Sequence, residues 1–91
     1  MKPLPDTFRK DGYNFVQVFR EGRVAVFSKS KSGHRWPSFE TVIIQENKAR
    51  TIAGVNIPAS ESLPRSEDWG WKGWSFTTFD EAFRKAQEVA R

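Results

Sequence analysis

The 91-residue chain has no cysteine and a single histidine. Without cysteine there is no disulfide, no thiolate nucleophile, no Cys-based zinc site and no iron–sulfur cluster. Nucleophilic and general-base catalysis usually need a histidine held by a carboxylate or beside a nucleophile. His34 instead lies in the polar run Ser28–Pro37, next to Arg35. One histidine cannot start a metal site, and the carboxylates show no ligand spacing. The glycines form neither a phosphate loop nor a dinucleotide fingerprint. Glu67-Asp68 is an adjacent acidic pair, and neighbours rarely point into one site, so it reads as a solvated turn. These absences predict a protein that is not an enzyme and holds no metal or small-molecule cofactor.

No apolar run approaches the roughly 18 residues of a membrane span. The opening MKPLPDTFRK has no apolar stretch of signal-peptide type. The expectation is a cytoplasmic protein with no membrane partner.

Large rings are plentiful: four Trp, eight Phe and one Tyr. In a thin core they supply much burial per residue, and at an interface they anchor partners. The net charge of +4 is placed unevenly. Between residues 20 and 35, Arg20, Arg23, Lys29, Lys31 and Arg35 face one acid, Glu21, whereas residues 36–91 are slightly acidic overall.

One domain of α+β class is expected, with a three- to four-stranded antiparallel sheet packed by one C-terminal helix. Residues 1–11 read as an extended arm, 13–57 as the sheet, 58–77 as a Trp-rich loop and 78–91 as the helix. Tyr13–Phe19 and Arg23–Phe27 are β-branched and aromatic around Arg20-Glu21-Gly22, a hairpin signature. A loop at Glu21-Gly22 would oppose Arg20 to Arg23, so a three-residue loop pairing Val18 with Val24 and Val16 with Val26 is favoured. It leaves valines on one face and Tyr13, Phe15, Phe19 and Phe27 on the other. Phe39–Gln45 is a third strand, and Val42-Ile43-Ile44 within it looks buried on both sides. Arg50–Ile57 is a weaker fourth strand bent at Gly54, and Ser66-Glu67-Asp68 a short helical turn. Thr78 with Glu81 forms a capping box, and Phe79, Ala82, Phe83, Ala86, Val89 and Ala90 make one apolar stripe. A single helix covers one side of a sheet. The second side needs Leu4, Phe8, the 52–57 arm or the Trp-rich segment, or it stays open for a partner.

Two binding surfaces follow. In SEDWGWKGWSF, residues 66–76, glycines bend the loop and bring rings together. Trp69 and Trp71 share a side if the segment is extended. With Arg65 and Lys72 they form a candidate protein-binding site. The alternative is a nucleic-acid surface made by Arg20, Arg23, Lys29, Lys31, His34, Arg35 and Trp36, the cations neutralising phosphates and the indole stacking on a base.

The order of strands and helix is also that of integrase arm-type and plant ethylene-response-factor DNA-binding domains. GWSFTTFDEAFRKA looks like the final strand and helix of the latter, although about 30 residues separate it from Gln45. Residues 13–91 as a whole resemble small uncharacterised domains encoded by phages and mobile elements. There a sheet leads through Ser-Glu-x-Trp-Gly-x-x-Gly-Trp, here Ser66, Glu67, Trp69, Gly70, Gly73 and Trp74, into a terminal helix. The resemblance implies a phage-type accessory protein that docks on a partner, and carries no activity.

Overall fold

The computed structural model describes residues 3–90. Its strands are β1 (Thr7–Lys10), β2 (Tyr13–Glu21), β3 (Val24–Ser30), β4 (Ser38–Ile43), β5 (Gln45–Asn47), β6 (Arg50–Ile52), β7 (Val55–Ile57), β8 (Ser60–Ser62) and β9 (Gly73–Phe76). A 3-10 turn spans Ser66–Asp68, and one helix, α1, spans Phe79–Val89. Strands β1, β2, β3, β4 and β9 form one antiparallel sheet in that order. The class is α+β, and the sheet is wider than the sequence indicated. The arm expected over residues 1–11 contributes an edge strand, β1, and the Trp-rich loop contributes the other edge, β9.

Arg50–Ile57 is not a strand of this sheet. Ala53 and Gly54 adopt φ of +50° and +79°, closing a two-residue turn in which Ile52 opposes Val55. Both central residues have positive φ, as tight hairpins of right-handed twist require. Pairs β5–β8 and β6–β7 thus form two tiers of one projecting hairpin arm, from Gln45 to Ser62.

The helix starts where local chemistry starts it. Thr78 Oγ1 accepts the Glu81 amide N–H at 3.3 Å and donates to the Glu81 carboxylate at 2.9 Å. A capping box returns the glutamate to the cap's backbone amide; here Glu81 closes the cap on the Thr78 hydroxyl instead. Ala82 and Ala86 are fully buried against Val24 and Val26, with Phe19, Phe39, Phe76 and Val89 around them. Alanines let the helix axis come close to the sheet, and Thr41 Oγ1 fastens it by donating to the Ala82 carbonyl at 2.7 Å.

The opposite face buries Phe15, Ala25, Phe27, Val42 and Ile44. Leu4, Phe8, Tyr13 and Leu63 pack on it, and Phe8 stacks on Phe15 at 5.0 Å. The side the helix leaves bare is therefore covered by Leu4 and Leu63 and, at its β9 end, by Trp69, which lies over Gly73 and Ser75; the 52–57 arm does not pave it.

The hairpin register differs from both sequence-based options. Glu21 pairs with Val24 across a Gly22-Arg23 loop, with Gly22 at φ +59°. A bulge at Val18 then shifts the ladder, so Phe19 opposes Val26 while Gln17 opposes Phe27. One extra residue reverses the alternation. Phe19 consequently joins the helix-covered face, and Val16 and Val18 are exposed.

Candidate functional site

The loop from Leu63 to Lys72 turns back on itself. The Asp68 carbonyl accepts the amides of Trp71 and Lys72 at 3.3 and 2.9 Å, and Gly70, at φ +101°, donates to the Gly73 carbonyl at 2.7 Å. The segment is therefore not extended at 69–71, and Trp69 and Trp71 do not act as one side. Trp69 lies across Gly73 so closely that a Cβ there would clash with its ring carbons. Its indole N–H donates to Ser75 Oγ at 3.2 Å. Trp69 is thus largely a strut. Trp71 is 63% exposed, with the Lys72 ammonium 4.9 Å from its ring centroid. Trp74 is half-buried beneath the Lys85 ammonium and donates to the Gly70 carbonyl.

An open polar cleft of about 430 Å³ separates the base of the hairpin arm from the 3-10 turn. Gln45, Glu46, Asn47 and Arg50 line the arm side, and Ser62, Leu63, Arg65, Asp68 and Lys72 the other. Two of the sequence-predicted residues, Arg65 and Lys72, therefore share one site; a third, Trp71, does not line it and meets it only through Lys72, whose ammonium lies by its ring. Arg65 is loosely held, 3.1 Å from Glu67 and 3.9 Å from Asp68 with most of its side chain in solvent. Lys72 donates to the Gln45 amide oxygen at 3.4 Å. Arg50 pairs with no carboxylate among the described residues. Sequence reasoning missed Arg50, because it reaches the cleft only through the fold-back of the arm.

The basic set of residues 20–36 is divided between the two ends of β3. At the Gly22 end, Arg20 makes N–H···O bonds of 3.1 and 2.8 Å to both Glu61 oxygens, and the Leu4 amide donates to the same carboxylate at 3.0 Å. The Arg20 guanidinium, helped by that amide, holds the Glu61 carboxyl down to about 2. The same bonds raise the pKa of Arg20. Arg23 donates to the Ile44 carbonyl and lies 3.7 Å from Glu46. Lys29, at the far end of β3, is 3.3 Å from the buried Glu40, which also accepts from Ser75. These three cations are committed to the fold.

Lys31, His34, Arg35 and Trp36 lie at the other end, beside the β1–β2 turn. Lys31 sits over the Tyr13 ring at 5.2 Å, His34 meets it edge-on at 5.9 Å, and Arg35 stands 5.4 Å from the Trp36 centroid. Trp36 is 75% exposed. Lys10, opposite Tyr13, joins this end from β1.

Among the described residues no group of three or more His, Asp or Glu is gathered closely enough to hold a metal ion. Nor is any helix long and apolar enough to cross a membrane. A scan against protein-family models and searches of curated proteins and of solved structures return no match.

Proposed function

We propose that this protein is a non-catalytic binding module that docks on a protein partner through the cleft beside Trp71. The observation that carries the reading is the convergence of Arg50, Arg65 and Lys72, outnumbering Glu46 and Asp68, on one open cleft, with the largely exposed Trp71 indole against Lys72. Such a site matches a partner surface that offers carboxylates next to an apolar side chain. The cations meet the carboxylates, and Trp71 supplies rigid apolar area at small entropic cost. Trp69 serves it indirectly by fixing the loop. A cytoplasmic setting, and a role as a phage or mobile-element accessory protein, fit this reading through composition and the Ser66–Trp74 motif.

The test is site-specific photocrosslinking, with a benzophenone amino acid at position 71 and, separately, at position 36. Protein adducts at 71 that vanish in an R65E/K72E background support the docking site. Adducts at 71 no stronger than at 36, or untouched by the charge reversal, refute it.

A second reading, nucleic-acid binding, rests on Lys31, Arg35 and Trp36. Neither cation pairs with a carboxylate among the described residues, and the indole is free to stack. It predicts nucleic-acid adducts at position 36 that weaken steeply with salt.

A further inference from the structure

The two edges of the main sheet are finished differently. At β9 the Ile43 amide donates to the Lys72 carbonyl at 2.9 Å, which turns the backbone groups of Trp74 and Phe76 toward β4 and those of Gly73 and Ser75 outward. The Gly73 carbonyl is taken by the Gly70 amide, and the Trp69 ring lies over the same residue. That edge is blocked at its Gly73 end.

At β1 the Gln17 amide donates to the Asp6 carbonyl at 2.7 Å. By the alternation of an antiparallel ladder, Phe8 and Lys10 then bond to β2, and the N–H and C=O of Thr7 and Arg9 point away from the sheet. Among the described residues no backbone group bonds to them. From Thr7 to Lys10 the strand has no proline, no bulge and no covering segment; its guards are its shortness and the charges of Arg9 and Lys10.

We infer that the protein forms a two-fold symmetric dimer in which β1 pairs antiparallel with β1 of a second copy, joining the two sheets into one. Three registers place outward-facing groups opposite each other on a two-fold axis. Centring the axis on Thr7 sets Arg9 against Pro5, which has no N–H to give. Centring it on Arg9 sets arginine against arginine. Centring it on Phe8 pairs Thr7 with Arg9 of the other copy, twice, with each pair exchanging both N–H···O=C bonds.

The side chains favour the same register. Asp6 falls opposite Lys10 of the second copy, also twice. These are non-hydrogen-bonded positions, where facing residues come closest, and opposite charges there are attractive. Asp6, Phe8 and Lys10 share a face by strand alternation, and Phe8, already stacked on Phe15, meets its own copy on the axis. Within one chain Lys10 has no carboxylate partner among the described residues, and Asp6, whose charge reaches Arg20 only at a distance, accepts a single side-chain hydrogen bond, 3.4 Å from Gln17. The dimer supplies a partner to each. This surface lies apart from the Trp71 cleft and stands whether or not that reading does.

Sedimentation velocity of the full chain, taken up to about 1 mM, reads the association directly. The expected result is a concentration-dependent rise to twice the monomer mass. R9P removes an N–H that bonds nothing within the chain, and is expected to weaken association at least about tenfold. D6K and K10D are each expected to weaken it, and the D6K/K10D double swap to restore it. A wild-type chain that stays monomeric throughout the range overturns the inference. So does association that the single charge variants leave unchanged, a result that does not depend on R9P folding. A chain that is monomeric alone but binds an added extended peptide along β1 also overturns it, assigning the edge to a different occupant.

Discussion

Arg20 and Glu61, 41 positions apart in sequence, form a two-pronged ion pair with N···O distances of 3.1 and 2.8 Å. The pair ties the base of the hairpin arm to β2, and through the Leu4 amide it also fixes the segment that roofs the second sheet face. Removing the Glu61 charge therefore loosens three segments at once.

The same pair makes stability depend on acid. The folded carboxyl is held at about 2, against an ordinary value of 4.5. A depressed carboxyl contributes stability that is fully present above its unfolded value and is lost as pH falls toward the folded one. Chemical denaturation is expected to show a loss of about 2–3 kcal/mol between roughly pH 5 and pH 2 from this group. E61Q removes that acid limb, so the two proteins differ most near neutral pH and converge near pH 2. An acid limb of equal depth in E61Q contradicts the assignment.

Gly73 and Trp69 predict a substitution that looks mild and is not. A methyl group at 73 has no room under the indole, so G73A is expected to cost about 1–3 kcal/mol in urea denaturation. W69A removes the obstacle as well as its own packing. The double variant should therefore be less destabilised than the sum of the two singles. Strict additivity would mean that the ring does not lie on Gly73.

The fastening of the helix can be weighed at Thr41. T41V keeps the volume and deletes the hydroxyl that bonds the Ala82 carbonyl. That carbonyl keeps its own helical partner, so the expected cost is about 1 kcal/mol, measured by thermal or chemical melting. A cost near zero would show that apolar packing around Ala82 and Ala86 holds the helix without this bond.

What was readable in the sequence is what depends on near neighbours. The helix was legible because its cap, Thr78 with Glu81, and its alanine-phenylalanine stripe lie within one short stretch. The α+β class followed from it. The strand partners were less legible, because the bulge at Val18 leaves no mark in the spacing of the valines, yet it moves Phe19 to the other face. Arg50–Ile57 looked like one bent strand because Ala53-Gly54 lacks the asparagine or aspartate that usually announces a tight hairpin.

The candidate sites divide along the same line. Trp71, Arg65 and Lys72 could be named from residue type and proximity in sequence. Arg50 could not, since a projecting arm brings it across. Arg20, Arg23 and Lys29 looked like a charged rim and are ion-paired supports, because Glu61, Glu46 and Glu40 come to them from other strands. Trp69 looked like an anchor and is mostly a brace over Gly73.

The docking site is tested most directly by titrating the crosslinked partner against the wild-type chain, W71A, R65E/K72E and K31E/R35E, with a melt of each. W71A and R65E/K72E are expected to lose about 2 kcal/mol or more of binding, roughly thirtyfold in affinity, while melting within a few degrees of the wild type. K31E/R35E is expected to bind as the wild type does. Equal affinity for all four chains, or a loss confined to K31E/R35E, would contradict the assignment of the site to the cleft beside Trp71.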